Sequence, residues 1–167
     1  MSSVAYWSAE RWRLPGLEVY AEPEFDPIDL GDGYAAAFAL LGTRILLTAP
    51  IGEAGEHGVP RFCAARQRFL EKHGLWDQTH VELKDYSRMG PTPSRRAQNQ
   101  FVDFVKAEFE RGALVGLFSF GTRTIVRWIF NANLKLHGRT EQVFVYSDFD
   151  EAVERAQREL RALGLSS

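Results

Sequence analysis

The stretch VELKDYSRMGPTPSRRAQNQFVDFVKAEFERGALVGLFSF, residues 81–120, decides the fold. Val81 to Leu83 alternates apolar and charged side chains and predicts a short strand. Residues 87–94 are rich in Gly, Pro, Ser and Thr and predict a loop, and residues 93–111 place apolar side chains on one helical face. Leu114 to Phe120 is apolar throughout, which is typical of a strand covered on both faces. This order of strand, helix and strand predicts a right-handed crossover between parallel strands.

The same alternation continues on both sides of this stretch. The apolar runs Tyr34 to Leu41 and Arg44 to Pro50, separated by Gly42 and Thr43, predict an antiparallel hairpin. The remaining predicted elements are helices over residues 59–73 and 122–136, a strand over 142–146 and a final helix that follows a capping segment at 147–150. The predicted order ββαβαβαβα defines an α/β fold: a mixed, mostly parallel sheet with an N-terminal antiparallel hairpin and about four helices.

Residues 1–33 differ from the rest of the chain and predict an N-terminal arm. Four of its aromatic residues are Tyr6, Trp7, Trp12 and Tyr20. An acidic run that contains proline follows them, and the segment ends in the turn residues Gly31, Asp32 and Gly33. Because the periodicity is poor, we predict an arm that packs on the domain or on a partner subunit, and a single α/β domain over residues 34–167.

Composition limits the classes of protein to which the chain can belong. Hydrophobic residues make up 45% and aromatic residues 13% of the chain, enough for a core without disulfides or metals. A net charge of −2 argues against nucleic-acid binding by bulk electrostatics. The single cysteine, Cys63, favours a reducing compartment. With neither a secretory leader nor an apolar stretch of membrane-spanning length, we expect a cytoplasmic protein without membrane insertion.

The sequence contains no recognisable catalytic or cofactor-binding motif. Its histidines have no i, i+4 pairing and no cysteine companions, which argues against a zinc site; they are His57, His73, His80 and His137. Nucleophile-elbow, Walker A and dinucleotide-binding sequences are absent. Cys63 lies on the apolar stripe of a predicted helix and is expected to be a core residue. Glu82 and Asp85 offer a carboxylate pair, but Asp85 is better explained as an organiser of the loop. We therefore expect neither a cofactor nor catalysis.

The loop between the predicted strand and helix holds the main candidate site. Its chemistry-bearing residues are Asp85, Ser87, Thr92, Ser94, Arg95 and Arg96. We predict Thr92 as the helix N-cap and Pro93 as the first helical residue, so that free N–H groups and the positive helix end lie nearby. With two adjacent arginines, this surface suits an anionic group or a protein partner. The alternative interpretation is a capped helix start with two exposed arginines.

A second junction follows the predicted strand 114–120. Its candidate residues for anion or partner binding are Gly121, Thr122, Arg123 and Arg127. Gly121 permits a tight turn and Thr122 can cap a helix, on which the two arginines are one turn apart. The alternative interpretation is a capped amphipathic helix with two solvated arginines.

The order and spacing of these segments resemble STAS domains, which occur in anti-sigma factor antagonists, stressosome proteins and anion-transporter tails. Residues 81–96 resemble the family's strand, Asp-x-Ser turn and switch loop, residues 120–136 its next strand and helix, and residues 143–156 its last strand and helix. The resemblance covers residues 34–163 and is closest to STAS-like domains found beside bacterial sensor kinases. It implies a non-catalytic signalling domain with a phosphorylatable hydroxyl at the start of a helix.

Carried over to this chain, the resemblance implies Ser94 as the first choice for phosphorylation and Thr92 as the second. The match departs from the family in one respect. The family's loop reads Asp-Ser-Ser/Thr-Gly, whereas residues 91–95 read Pro-Thr-Pro-Ser-Arg, without an acidic residue before the hydroxyl or a glycine after it.

The sequence therefore predicts a signalling or scaffold domain that binds a protein partner through residues 85–96. The expected partner is a kinase, an anti-sigma-like protein or another signalling protein, and the N-terminal arm offers a route to a homodimer. One open alternative is a small-ligand or lipid-binding domain, in which Phe101, Phe104 and Phe109 line a cavity. The other is an enzyme with an unfamiliar site that contains Asp85, Arg123 and a histidine.

Overall fold

A computed structural model describes residues 5–8, 12, 14–55, 57–90, 94–121 and 143–167. Within these residues, seven strands and three helices follow one another along the chain. The elements are β1 (Val19–Ala21), β2 (Ile28–Gly31), β3 (Tyr34–Leu41), β4 (Ile45–Ile51), α1 (Gly58–Lys72), β5 (His80–Asp85), α2 (Arg95–Arg111), β6 (Leu114–Phe120), β7 (Val143–Val145) and α3 (Phe149–Ala162). The helix predicted over 122–136 lies outside the described residues.

The strands form one mixed sheet in the order β1-β3-β4-β5-β6-β7, and β2 also pairs with β3. The predicted hairpin is present as β3 and β4, which pair antiparallel. From β4 to β7 every pairing is parallel, and Leu83 at the centre faces Leu47 on one side and Phe118 on the other. The predictions of an α/β class, a mixed sheet and an antiparallel N-terminal hairpin are confirmed. The sheet is not mostly parallel, however, because β1, β2 and β4 all pair antiparallel with β3, so that three of the six pairings among the described strands are antiparallel.

Two short strands, β1 and β2, have no counterpart in the predicted element order. Both pair antiparallel with β3, β1 opposite residues 39–41 and β2 opposite residues 34–36. Strands of three and four residues are too short to produce a readable alternation, and an acidic segment with prolines separates them. Part of the segment predicted as an arm therefore extends the sheet.

Each face of the sheet carries its own apolar core. Helices α1 and α2 cover one face, where Phe38, Phe62 and Phe69 are almost fully buried. Helix α3 covers the other face together with N-terminal aromatic residues, among them Trp7 and Trp12. Strand β6 is thus covered on both faces, as its largely apolar sequence predicted.

A capping side chain marks the start of the last helix. Asp148 precedes α3 in an extended conformation and its carboxylate accepts from the Glu151 N–H at 3.0 Å. This is the capping interaction that the sequence predicted near residue 148. In the part of the chain that the structure describes, no helix has both the length and the apolar character needed to cross a bilayer.

Candidate functional site

Three parallel strands end side by side at one edge of the sheet. Asp85 is the last residue of β5, Phe120 is the last of β6, and Gly52 directly follows β4. In open α/β sheets, ligands and partners usually meet the carboxyl ends of parallel strands. The loop from Asp85 to α2, which the sequence singled out, leaves the sheet at this edge.

Asp85 organises the turn that begins the loop. The residue is 1% exposed, and its Oδ1 accepts from the Ser87 N–H at 2.8 Å. Its Oδ2 accepts from the Tyr6 hydroxyl at 2.6 Å, and the same hydroxyl lies 3.3 Å from Ser87 Oγ. The expected bond between the Asp85 carboxylate and loop N–H groups is therefore present, and a residue of the N-terminal segment completes it.

Backbone hydrogen bonds fix the same turn to both neighbouring strands. On the β6 side, the Tyr86 N–H donates to the Phe120 carbonyl at 3.0 Å. On the β4 side, the Gly52 N–H donates to the Arg88 carbonyl at 3.0 Å, and the Gly90 N–H donates to the Gly52 carbonyl at 2.7 Å. Ser87 and Arg88 are exposed on this anchored turn. Their side chains consequently project from a backbone that is held on two sides.

Two glycines allow this close packing. Gly52 has φ +82°, and a Cβ there would lie 2.3 Å from the Gly33 carbonyl oxygen. Gly121 has φ +67°, and a Cβ there would lie 2.7 Å from Asp85 Oδ1 and 2.9 Å from the Ser87 nitrogen. The structure thus brings Gly121 of the second predicted junction against the first junction. The other candidate residues of the second junction, Thr122, Arg123 and Arg127, lie outside the described residues.

Helix α2 begins later than the sequence predicted. Its N-cap is Ser94, whose Oγ accepts from the Ala97 N–H at 3.2 Å, and its first helical residue is Arg95. The prediction of Thr92 as the N-cap and Pro93 as the first helical residue is therefore wrong; both residues lie outside the described part of the chain. Two hydroxyl residues were available as caps, and Ser94 takes the extended conformation, ψ 153°, that a cap requires.

The start of α2 has strong positive character. Ser94, Arg95 and Arg96 are all exposed, and the first turn of the helix contains no acidic residue. An acidic residue near a helix N-terminus is stabilising because the helix dipole is positive there. Two arginines add to that positive potential instead, so the surface favours an anionic group from outside.

The suggested pair of Glu82 and Asp85 does not form. Residues three apart in a strand point to opposite faces of the sheet. Asp85 bonds Tyr6 on the α3 side, whereas Glu82 faces α1 and α2. The two carboxylates consequently belong to separate environments and cannot share a proton or a ligand.

A cluster of buried charges lies between β5 and the helices α1 and α2. Arg66 Nε donates to Glu82 Oε2 at 2.8 Å, and Arg66 Nη1 donates to Glu108 Oε2 at 2.6 Å. Glu82 Oε1 is 3.0 Å from Lys84 Nζ and accepts from the Thr48 hydroxyl at 2.8 Å. The Arg66 side chain is fully buried, and those of Glu82 and Lys84 are 1% exposed. Charge-assisted hydrogen bonds therefore join β5 to α1, to α2 and to the neighbouring strand β4.

The pKa values within this cluster reflect both burial and pairing. Burial opposes ionisation of Glu82, but Lys84 and Arg66 outweigh it and hold the Glu82 pKa at about 2. Burial also lowers the pKa of Lys84, and the nearby Glu82 carboxylate offsets this only in part. The Lys84 ammonium lies 4.7 Å and 4.3 Å from the ring centroids of Phe62 and Phe101, whose faces attract a cation.

His80 adds a neutral member to the cluster. Its Nε2 lies 3.2 Å from Arg66 Nη2, and its Nδ1 lies 2.8 Å from the Gln78 carbonyl oxygen. Because a guanidinium only donates and a carbonyl only accepts, Nε2 is the acceptor and Nδ1 carries the proton. Burial, and then the charge of Arg66, lower the His80 pKa to about 4. The imidazole is thus neutral at physiological pH.

Sequence reasoning missed this cluster, although a signal for it was present. Glu82 and Lys84 alternate with Val81 and Leu83 in a strand that the fold covers on both faces. Arg66 occupies a position on the otherwise apolar face of α1. A charged residue at an inward position requires a buried partner, and the periodicity alone could have paired these inward charges.

Cys63 does not have the properties of a nucleophile. It is half-buried, and burial raises the pKa of its thiol to about 12 despite the nearby cations of Lys84 and Arg66. The thiol therefore stays protonated at neutral pH, and a thiolate is the reactive form. Among the residues that the structure describes, no three His, Cys, Asp or Glu side chains are grouped as ligands for a metal ion.

No protein-family model matches this chain, and no curated protein matches it. The candidate site is therefore defined by its geometry: an anchored turn at residues 85–90, followed by the exposed and positively charged start of α2.

Proposed function

We propose that the chain is a non-catalytic, cytoplasmic signalling or scaffold domain that binds an acidic protein partner. Its binding surface is formed by Ser87, Arg88, Ser94, Arg95 and Arg96, which we call the β5–α2 surface. The observation that carries the proposal is the anchoring of the Asp85 turn to both adjacent strands, followed along the chain by an exposed basic helix start.

Preorganisation supports a role in binding. The Asp85–Gly90 turn is held by its neighbours before any partner arrives, so that little backbone entropy is lost when a complex forms. Arginine guanidinium groups offer planar, bidentate donors that match carboxylates and phosphates. Arg95 and Arg96 extend from a helix start whose dipole has the same sign, and the whole surface therefore complements an acidic segment.

The order of the sheet supports a STAS-like topology. Strands β4 to β7 are adjacent in space in the same order as in the chain, and they are all parallel. Helices α1 and α2 provide the first two crossovers, and the helix predicted over 122–136 would supply the third. With that helix, the domain would have the fourth helix and the ββαβαβαβα order that the sequence pattern predicts.

The position of Ser94 supports regulation by phosphorylation. Ser94 is an exposed residue, and its hydroxyl already accepts from a helix N–H, as a phosphate at that position would. The added charge would convert a basic surface into a mixed one and would weaken binding of an acidic partner. Thr92 is the second candidate for such a modification.

The aromatic residues of α2 do not favour the ligand-binding alternative. Phe101 packs on the Lys84 ammonium, and the Phe104 ring centroid lies 5.2 Å from Arg66 Cζ. Phe109 is buried against the apolar residues Val105 and Leu114. Phe101 and Phe104 are half-buried beside the charged cluster and Phe109 is buried, whereas a lipid-carrying domain would need these rings to line an open cavity.

Charge reversal tests the proposal. The immobilised protein and its Arg95→Glu/Arg96→Glu variant are exposed to an extract of the native host, and captured proteins are quantified by mass spectrometry. We expect a partner captured by the wild type to be lost by at least tenfold in the variant, and Ser94→Asp to reduce its capture as well.

The matched control is Arg158→Glu/Arg161→Glu, which makes the same change in charge on exposed residues of α3. It should leave capture unchanged. If the β5–α2 variants capture the same proteins in the same amounts as the wild type, the surface is not the binding site.

A further inference from the structure

The N-terminal segment is fixed to the domain by a buried carboxylate. Asp26, which is 4% exposed, accepts from the Tyr6 N–H at 2.9 Å and from the Trp7 N–H at 2.8 Å. The Trp12 indole N–H in turn donates to the Tyr6 carbonyl at 3.0 Å. We call residues 5–8 together with Trp12 the N-terminal strap. Its backbone is held independently of the Asp85 turn.

The side chain of Tyr6 links this strap to the turn. Its ring is 3% exposed and lies against the indoles of Trp7 and Trp12, at centroid distances of 5.1 Å and 6.4 Å. Its hydroxyl donates to the buried Asp85 carboxylate, and the Arg88 guanidinium lies 5.7 Å above its ring. The apolar part of Tyr6 therefore belongs to the core, and its polar end contacts the buried side of the Asp85–Arg88 turn.

We infer that Tyr6 is a positioning residue, through which the N-terminal strap sets the conformation of the Asp85–Arg88 turn and hence partner binding. A hydroxyl that donates to a buried carboxylate forms a charge-assisted bond, and such bonds are stronger than neutral ones. With the strap docked, Oδ2 of Asp85 is held by Tyr6 while Oδ1 holds Ser87. The consequence for a partner rests on the function proposed above, whereas the coupling of strap and turn stands without it.

The coupling is reciprocal by thermodynamic necessity. If the docked strap favours the binding conformation of the turn, a bound partner must favour the docked strap by the same factor. Protection of the strap on binding is therefore part of the proposal, even though the strap is not part of the β5–α2 surface.

Hydrogen exchange, followed residue by residue by NMR, tests the coupling without a partner. In Tyr6→Phe the ring is retained and the bond to Asp85 is lost, so we expect exchange of the Ser87 and Gly90 amides to become about tenfold faster. Exchange within α1 and β3 should stay unchanged. Tyr20→Phe is the matched control, because the exposed Tyr20 hydroxyl also donates to a carboxylate, that of Glu18, at 2.6 Å.

A double-mutant cycle separates positioning from general destabilisation. In an Asp85→Asn background, the charge-assisted bond between the Tyr6 hydroxyl and residue 85 is already lost. Tyr6→Phe should therefore accelerate amide exchange in the turn by less than twofold. Two outcomes overturn the proposal: an unchanged turn in Tyr6→Phe, or equal acceleration in the turn, α1 and β3, which would mean that the whole domain is destabilised.

The partner assay distinguishes this inference from the proposed function. If both stand, Tyr6→Phe reduces capture of the partner severalfold, while Tyr20→Phe does not. If Tyr6→Phe accelerates amide exchange in the turn but Arg95→Glu/Arg96→Glu leaves the amount of captured partner unchanged, the coupling holds and the assigned binding surface is wrong. If capture responds to the arginines but not to Tyr6→Phe, the surface holds and the positioning role is overturned.

Discussion

The buried charged residues around Glu82 are expected to have a large effect on the stability of this domain. Glu82 contacts Arg66, Lys84 and Thr48 at once, so each of its oxygens has a described partner. Burying an ion pair is not in itself stabilising, because both ions lose their hydration. Removing one member is costly, however, since it leaves an opposite charge buried without compensation. The energetic effect of the cluster is therefore best measured by breaking it.

We predict that Glu82→Gln strongly destabilises the domain. The substitution keeps the shape of the side chain but leaves Arg66 and Lys84 with one fewer carboxylate, and we expect a loss of about 3–5 kcal/mol in the free energy of unfolding. Urea unfolding followed by circular dichroism measures it. Glu154→Gln is the control, because it removes a carboxylate from an exposed pair with Arg158 and should cost below about 1 kcal/mol. Equal losses in the two variants would contradict the prediction.

His80 gives stability a distinct dependence on pH. Its pKa is about 4 in the folded protein, below the ordinary value of 6.5, so the unfolded chain binds the proton more tightly. The stability that neutral His80 contributes is present above pH 6.5 and is lost as the pH falls toward 4, by up to roughly 3 kcal/mol. The stability that the ionised Glu82 carboxylate contributes is lost at lower pH, as the pH falls from 4.5 to about 2.

The measurement is the free energy of unfolding between pH 7 and 5, where Glu82 remains ionised. We expect a decline in the wild type and a flatter profile in His80→Asn, which keeps a carbonyl acceptor for Arg66 but does not titrate. Parallel profiles would show that another group is responsible.

Among the elements, α2 connects the interior to the candidate surface. Its buried side carries Glu108, which belongs to the charged cluster, and its first residues form part of the β5–α2 surface. Ser94 caps its N-terminus, and Gly112, at φ +83°, ends it in the left-handed conformation that glycine adopts freely. Changes at Ser94 therefore act on helix stability and on surface charge, and the two effects must be separated.

We predict that Ser94→Ala costs about 1 kcal/mol and that Ser94→Asp costs little, because aspartate also caps a helix and suits its positive end. Thermal unfolding of the two variants measures the difference. Partner capture should then depend on the charge at this position and not on stability. We expect Ser94→Asp to capture less of the partner and Ser94→Ala to capture as much as the wild type. A loss of capture in Ser94→Ala alone would instead indicate that fraying of α2 abolishes binding.

Elements with strong local patterns were predictable from the sequence, and those set by tertiary contacts were not. The bounds predicted for β6 match those observed, because a continuous apolar run between Gly112 and Gly121 is unambiguous. Strand β5 was predicted as residues 81–83 but extends over six residues. The prediction was too short because the charged residues of this strand, which are paired inside the protein, do not give an apolar pattern. The loop was identified as a candidate site, but its contact with Tyr6 spans 79 positions and has no local signature.

At the scale of the whole molecule, β5, the strand that leads into the candidate site, is supported on both faces of the sheet. The charged cluster and α1 and α2 support β5 from one side, while the N-terminal strap and α3 support it from the other. Trp12 joins these parts, since its ring centroid lies 4.7 Å from that of Phe149 in α3 and 5.8 Å from that of Phe120 in β6. The strap is thus packed as part of the second core.

This arrangement predicts that the strap unfolds together with the domain. Trp12→Ala removes a large buried side chain and its bond to the Tyr6 carbonyl, and we expect it to cost about 3–5 kcal/mol. Trp76→Ala is the control for this loss of stability, since Trp76 is only partly buried and stacks on Arg111 at the opposite end of β5.

Because the strap shares its core with α3, the near-ultraviolet and far-ultraviolet circular dichroism signals of the wild type should change in a single, coincident urea transition. A separate early transition of the aromatic signal would mean that the strap detaches independently, and the Asp85 turn would then have to be supported by the sheet alone.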